Sequence, residues 1–177
     1  MKKLVLAIIL GTFLCTYNIQ AQTEQVAIDS YSQNGLNIGG GIFFPMYNAS
    51  EVSSFGFYLD VNYLFEVGNG VTLGLASGFA QAFGKEERLP LITIDHDDFQ
   101  YIPIAFAARY TLPSRIVFGG DIGYAIGVSD NWDGGFYYRP MFGFNLNEKL
   151  QVNTSFTGIS DSWFEWNTWN IGFMYNL

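Results

Sequence analysis

Cysteine is almost missing from this chain: Cys15 is the only one in 177 residues. That excludes a disulfide framework and a cysteine-based zinc site. Charge is scarce as well, at 14% of residues, where about 25% is usual. What charge there is leans acidic, with a formal net of −8. The phosphate attraction that drives nucleic-acid binding is therefore lacking, and nucleic acid is excluded as a partner. Beyond the first residues, no apolar run approaches the roughly 20 residues of a spanning helix. Against these absences stand a 49% hydrophobic content, twenty glycines and seventeen phenylalanines. A chain this apolar is not disordered, and its length is that of one domain. It carries more apolar surface than its charge can keep in water.

The N-terminus reads as an address. Met1-Lys2-Lys3 is a short basic segment, Leu4 to Leu14 is an apolar run, and Thr16 to Ala21 turns polar and ends small. This is the layout of a secretory signal peptide spanning residues 1–21, with Gln22 as the first mature residue. Leu14 stands where a lipoprotein signal needs a small residue before Cys15, which argues against lipidation. Removing the signal leaves six basic residues against sixteen acidic ones, a formal charge of −10, and no cysteine.

Residues 22–34 are polar and aperiodic and read as a flexible N-terminal tail. From Gly35 the hydrophobic period becomes two, the signature of strands with two different faces. Phe55, Phe57, Leu59, Val61, Tyr63, Phe65 and Val67 share one face; Gly56, Tyr58, Asp60, Asn62, Leu64 and Glu66 share the other. The pattern recurs over 71–82, 101–112, 116–128, 136–146 and 169–177, with weaker runs at 36–44 and 150–158, which makes eight strands. Gly68-Asn69-Gly70, Pro113-Ser114-Arg115 and Asn147-Glu148-Lys149 are tight turns. Longer polar links at 46–54, 84–98, 129–135 and 160–166 alternate with them. An even strand count, with short turns at one end and long loops at the other, is the pattern of an outer-membrane barrel. Pro103 and Pro140 each remove a ladder donor, so local bulges are expected there.

The alternative, a secreted soluble ligand-binding β-barrel, turns the apolar face inward. Its solvated face would then include Thr72, Gly74, Ala76, Gly78, Ala80 and Ala82, nearly without charge, unlike ordinary surfaces. A closed eight-stranded barrel has an interior where such small residues fit. Aromatics near strand ends, such as Phe55, Phe79, Tyr110, Phe136 and Trp169, suit interfacial girdles. The expected fold is thus all-β: an eight-stranded antiparallel up-and-down transmembrane barrel over 35–177.

The chain ends Asn170-Ile171-Gly172-Phe173-Met174-Tyr175-Asn176-Leu177. Asn170, Gly172, Tyr175 and Leu177 resemble the β-signal of outer-membrane barrels, with Leu177 in place of the usual terminal Phe. Tyr101-Ile102-Pro103-Ile104-Ala105-Phe106 is similar to the strand centred on Ile-Pro in PorT-like barrels, and the whole resembles the small PorT-like and OmpX-like families of Gram-negative bacteria. The resemblance implies insertion by the barrel-assembly machinery. It implies no chemistry, because such barrels serve many roles.

Candidate chemistry is thin. His96 lies in Asp95-His96-Asp97-Asp98, where an Asp–His pair could activate water or a serine in a hydrolase acting on lipid A or peptides. Lipid A deacylases of this size carry a Ser close after the His, and omptin-like proteases have ten strands and a second acidic pair. Neither pattern is met. The loops gather Glu51, Glu86, Glu87, Asp130, Asp133, Asp161 and Glu165, oxygen donors suited to Ca²⁺ or Mg²⁺ that would bridge to lipopolysaccharide phosphates. The inward phase carries Asp60, Glu66, Arg109, Asp121 and Arg139, which are expected to pair because unpaired buried charge is costly. The turn at 113–115 sets Arg109 diagonal to Asp121. Eight strands leave no pore of porin width. The expectation is a monomeric, non-enzymatic, cofactor-free outer-membrane barrel in lipid and lipopolysaccharide, with a structural or surface-interaction role through four acidic loops.

Overall fold

The stretches of period two become strands. The computed structural model describes residue 31 and residues 33–88, 93–95, 97–128, 132–161 and 165–177. In chain order these form β1 (Gly35–Met46), a one-turn helix α1 (Ala49–Val52), β2 (Ser53–Gly68), β3 (Val71–Gly84), β4 (Glu86–Arg88) and β5 (Thr93–Asp95). There follow β6 (Phe99–Thr111), β7 (Ile116–Gly127), β8 (Gly134–Asn145), β9 (Leu150–Ser160) and β10 (Glu165–Asn176). The eight long strands close in the order β1-β10-β9-β8-β7-β6-β3-β2, with every neighbouring pair antiparallel. Closure joins the first strand to the last, from Asn37 opposite Asn176 to Met46 opposite Asn167. Each of these eight strands then has two partners, so the barrel sheet has no edge to leave unpaired.

The tight turns use the chemistry their sequences offer. Gly68, Asn69 and Gly70 all take positive φ (113°, 54° and 75°), a region that glycine enters freely and asparagine more readily than most residues. The two faces separate as the alternation requires. Leu59, Leu75, Ile104, Phe106 and Ile122 are each more than half exposed on the outside, while Ala76, Ala80, Ala105, Ala107 and Ala125 are buried in the lumen. A soluble barrel needs the opposite arrangement. The core of this molecule is the lumen.

Four expectations need correction. The link at 84–98 is not a plain loop, because β4 and β5 pair as a small separate hairpin within it. The link at 46–54 contains α1. The prolines cause no bulge: around Pro103 the β3–β6 register is the same before and after a two-residue gap in pairing, and around Pro140 the β8–β9 register behaves likewise. Each proline simply turns its missing N–H toward one neighbour and keeps its pairing with β7 on the other side. Finally, the end of the expected tail is docked. Gln33 is buried, and Asn34 Oδ1 accepts from the Glu66 amide at 3.2 Å. The signal segment 1–21, Cys15 and His96 lie outside the described residues, as do residues 22–30.

Candidate functional site

Inward positions of successive strands meet inside the barrel and stack in three tiers. The tier under the long loops is aromatic. Phe43 of β1, Tyr58 of β2, Tyr101 of β6, Tyr137 of β8 and Trp166 of β10 are buried, with Phe99 and Trp132 packed against them. Phe99 stacks on Trp166 at 4.2 Å between ring centroids, and Tyr101 lies 6.5 Å from Tyr137. The rings fit because their neighbours are small: Ala80, Ala82, Ala105 and Ala125 share this cluster. Gly172 belongs to the same logic. A Cβ there would run into the Tyr58 hydroxyl and the Gly40 carbonyl, so only glycine lets Tyr58 cross the lumen.

The middle tier is ionic. Arg139 Nη1 lies 2.7 Å from Asp60 Oδ2, and Arg139 Nη2 lies 2.7 Å from Asp121 Oδ2. Arg139 Nε also donates to Asp121 Oδ2 at 2.8 Å, so Arg139 grips that carboxylate with two nitrogens. Arg109 Nη1 lies 2.7 Å from Asp121 Oδ1 and donates to the Gly120 carbonyl at 2.9 Å. Two arginines and two aspartates from four strands therefore neutralise one another out of water. The pairing of Asp121 with Arg139 is direct across β7 and β8, and that of Arg109 is diagonal across β6 and β7. Glu66 is not part of this tier. It stands exposed near the end of β2, beyond Leu64, the last β2 residue that faces β1. Its phase is inward, but the wall on that side has ended.

The tier at the short-turn end is built from amides. Asn37 Nδ2 donates to Asn62 Oδ1 at 2.9 Å, and Asn176 Nδ2 donates to Asn37 Oδ1 at 2.9 Å. Gln151 Nε2 donates to Asn145 Oδ1 at 3.0 Å, while Asn145 Nδ2 donates to the Tyr31 carbonyl at 2.7 Å. Asn37 Nδ2 also donates to the Gln33 carbonyl, which holds Gln33 buried at this end of the barrel. Two voids of about 10 Å³ flank the Arg139–Asp60 pair, each about one water in size.

The four C-terminal residues that resemble an assembly signal divide between faces. Asn170 and Gly172 point inward, and Asn170 Nδ2 donates to Ser155 Oγ at 3.0 Å and Thr157 Oγ1 at 2.8 Å. Tyr175 and Leu177 face outward. At the long-loop end, Asp98 is occupied: its carboxylate accepts from Gln81 Nε2 at 2.9 Å and from the Gly84 amide at 3.0 Å. It therefore ties the β5–β6 link to the end of β3. Lys85 Nζ donates to the Ser50 carbonyl at 2.5 Å and joins two of the loops. Among the described residues no three carboxylate, thiol or imidazole groups converge as a metal site. His96, Asp130 and the side chains of Glu86 and Glu87 lie outside the described set.

Sequence reasoning misses the aromatic tier and the amide tier as sites, although it holds a signal for both. Tyr58, Tyr101 and Tyr137 all fall on the inward phase of their strands, at the end that leads to a long loop. Asn37, Asn62 and Asn145 are inward too, toward the short-turn end.

No protein-family model matches this sequence, and no characterised protein matches it by sequence. Solved structures do match. The crystal structure of Ail, the attachment invasion locus protein of Yersinia pestis, aligns with a TM-score of 0.56 at 20% identity, over 80% of this chain and 98% of that one. The backbone structure of the same outer membrane protein in a phospholipid bilayer nanodisc gives 0.56 at 18% identity, over 81% and 99%. Its crystal structure in complex with the heparin analogue sucrose octasulfate gives 0.54 at 21% identity, over 80% and 98%. What is shared at this identity is the fold, which is that of the small eight-stranded outer-membrane β-barrels.

Proposed function

We propose that this protein spans an outer membrane as a monomeric, non-enzymatic barrel and presents its long-loop end as an acidic interaction surface. The observation that carries the reading is the sorting of charge by topology. The long links and the start of β10 hold Glu51, Glu86, Glu87, Asp95, Asp97, Asp98, Asp130, Asp133, Asp161 and Glu165 against only Lys85 and Arg88. The short-turn end holds Glu66 and Glu148 against Arg115 and Lys149. In barrels of this kind long loops face outward and short turns face the periplasm, so the acidic end is the external one. A surface of that sign attracts cationic segments of a partner, or divalent cations that bridge to lipopolysaccharide phosphates, and repels polyanions. The closed sheet supports a monomer, and the placement of Asn170, Gly172, Tyr175 and Leu177 on the closing strand supports their reading by the assembly machinery.

The sign of the charge separates this chain from its structural neighbour, since Ail was crystallised with a sulfated sugar. The test uses the barrel in nanodiscs with two probes, an oligolysine peptide and sucrose octasulfate. Oligolysine should bind in a salt-sensitive way and the sulfated sugar should not. Binding of the sugar, or of neither probe at low salt, would overturn the reading.

A further inference from the structure

The short-turn rim has a second feature that its near-neutral charge conceals. Tyr31, Arg115, Leu146, Asn147, Glu148, Lys149 and Tyr175 line an open pocket of about 500 Å³. Three backbone bonds draw its walls together. The Asn145 amide donates to the Arg115 carbonyl at 2.9 Å, the Asn176 amide donates to the Lys149 carbonyl at 2.8 Å, and the Arg115 amide donates to the Leu112 carbonyl at 2.9 Å. The Arg115 guanidinium sits 4.4 Å from the centre of the Tyr31 ring, and Lys149 Nζ sits 5.9 Å from that of Tyr175. Among the described residues neither cation has a carboxylate partner, although both arginines in the lumen are paired. Arg115 also occupies a left-handed backbone conformation, φ 68°, which few non-glycine residues adopt outside special sites. A glycine would make this turn more easily, so the turn alone does not account for the arginine.

We infer that this pocket binds the headgroup phosphate of a monoanionic membrane phospholipid. Two cations and one carboxylate give the pocket a net charge of +1, which one phosphodiester neutralises. Location selects a lipid over a free anion. Leu146 and Tyr175 are lipid-facing residues of the apolar belt, whereas Arg115, Asn147 and Lys149 lie in the turns beyond it, so the pocket straddles the boundary between hydrocarbon and water. A headgroup phosphate lies at that depth, and its acyl chains would run along Leu146 and Tyr175. The Tyr31 ring holds the Arg115 side chain against the rim, and Tyr31 is itself fixed by its bond from Asn145. The inference rests on the membrane reading given above.

The test titrates the refolded barrel, in a maltoside detergent free of phosphate, with short-chain phosphatidylglycerol, short-chain phosphatidylcholine or inorganic phosphate. The readouts are the side-chain Nε–Hε resonance of Arg115 and the amide of Tyr175. Phosphatidylglycerol should saturate both signals at concentrations where the other two probes move neither. R115G and K149Q should each weaken binding by about fivefold, the effect of one interfacial cation, and E148Q should tighten it. R115G suits the turn's backbone, so its barrel should remain heat-modifiable in SDS gels, which separates loss of the site from loss of the fold. Equal affinity for phosphatidylcholine, or unchanged affinity in R115G and K149Q, would overturn the site. Equal affinity for inorganic phosphate would leave an anion pocket with no lipid assignment and would overturn it too. A barrel recovered in the detergent-free supernatant of washed membranes would instead overturn the membrane reading.

Discussion

Leu59, Asp60 and Val61 follow one another along β2, yet they live in two different chemistries. Leu59 and Val61 stand on the outside, where any large apolar side chain suffices because its neighbours are hydrocarbon. Asp60 stands in the lumen, where one oxygen sits 2.7 Å from one arginine nitrogen. The outer face is specified by composition and the inner face by pairing. It follows that the outside tolerates changes of shape but not of polarity, while the inside tolerates neither.

The sharpest way to break that contrast is Arg139→Ala. It strands Asp60 entirely and leaves Asp121 with Arg109 alone. Removing one member of a buried ion pair costs about 3–5 kcal/mol, and urea unfolding of the refolded barrel should lose that much. A companion variant in which Arg139→Met is joined to Asp60→Asn should recover part of the loss, because it removes both charges of one pair. If the pair of changes is as damaging as Arg139→Met alone, the tier is not acting as a neutralised unit. Next in size is Val61→Arg on the outer face near the middle of the belt, where a cation against lipid costs about 2–4 kcal/mol. A change well under about 1 kcal/mol would mean that Val61 does not face hydrocarbon, since that is the cost expected only near the interfaces.

Ala107 and Ala108 give the same contrast with one substitution at adjacent positions. Ala107 is buried in the lumen beside Leu64 and Ala76. Ala108 shares an outer rung with Gly120 and Pro140, in a depression of about 820 Å³. Ala107→Trp should overpack the interior and cost about 1–3 kcal/mol. Ala108→Trp should fill the depression and leave the urea midpoint almost unchanged. Equal effects at the two positions would collapse the distinction between the faces.

The same contrast decides what is legible in the sequence. The strands and their facing are legible because a period of two persists along each strand, and a lipid face tolerates no charge that would blur it. The Arg109–Asp121 diagonal is legible because a tight turn at 113–115 fixes the register of β6 on β7. The role of Arg139 as the bridge to Asp60 is not, because Asp60 and Arg139 lie on non-neighbouring strands and meet only when the sheet closes. The same holds for the aromatic tier, in which Phe43 of β1 and Tyr137 of β8 share a cluster only once the strands between them are in place. Glu66 is misplaced by sequence for a related reason: phase tells which way a side chain points, but not where the wall beside it stops. The skipped rungs at Pro103 and Pro140 read as bulges because a missing donor is visible in sequence, whereas the tolerance of a closed sheet for one lost rung is not.

The smallest loss expected from removing a contact probes the outer face where it departs from its own rule. Trp169 points outward, and its indole nitrogen donates to Thr154 Oγ1 at 2.6 Å; that hydroxyl in turn donates to the Asn170 carbonyl at 2.9 Å. Here a polar pairing exists on the lipid side of the wall. Hydrogen bonds between membrane-embedded side chains average only about 0.6 kcal/mol, because the alternative states also find partners. Thr154→Val keeps the shape and removes the hydroxyl, so it should shift the urea midpoint by an amount of that order, and by less than any luminal change above. The indole can also tilt toward headgroups or water, a freedom that Arg139 lacks. A loss above about 2 kcal/mol, in the range for a buried donor left unsatisfied, would show that the outer face too depends on specific pairing. The contrast between the two sides of the barrel would then be one of degree.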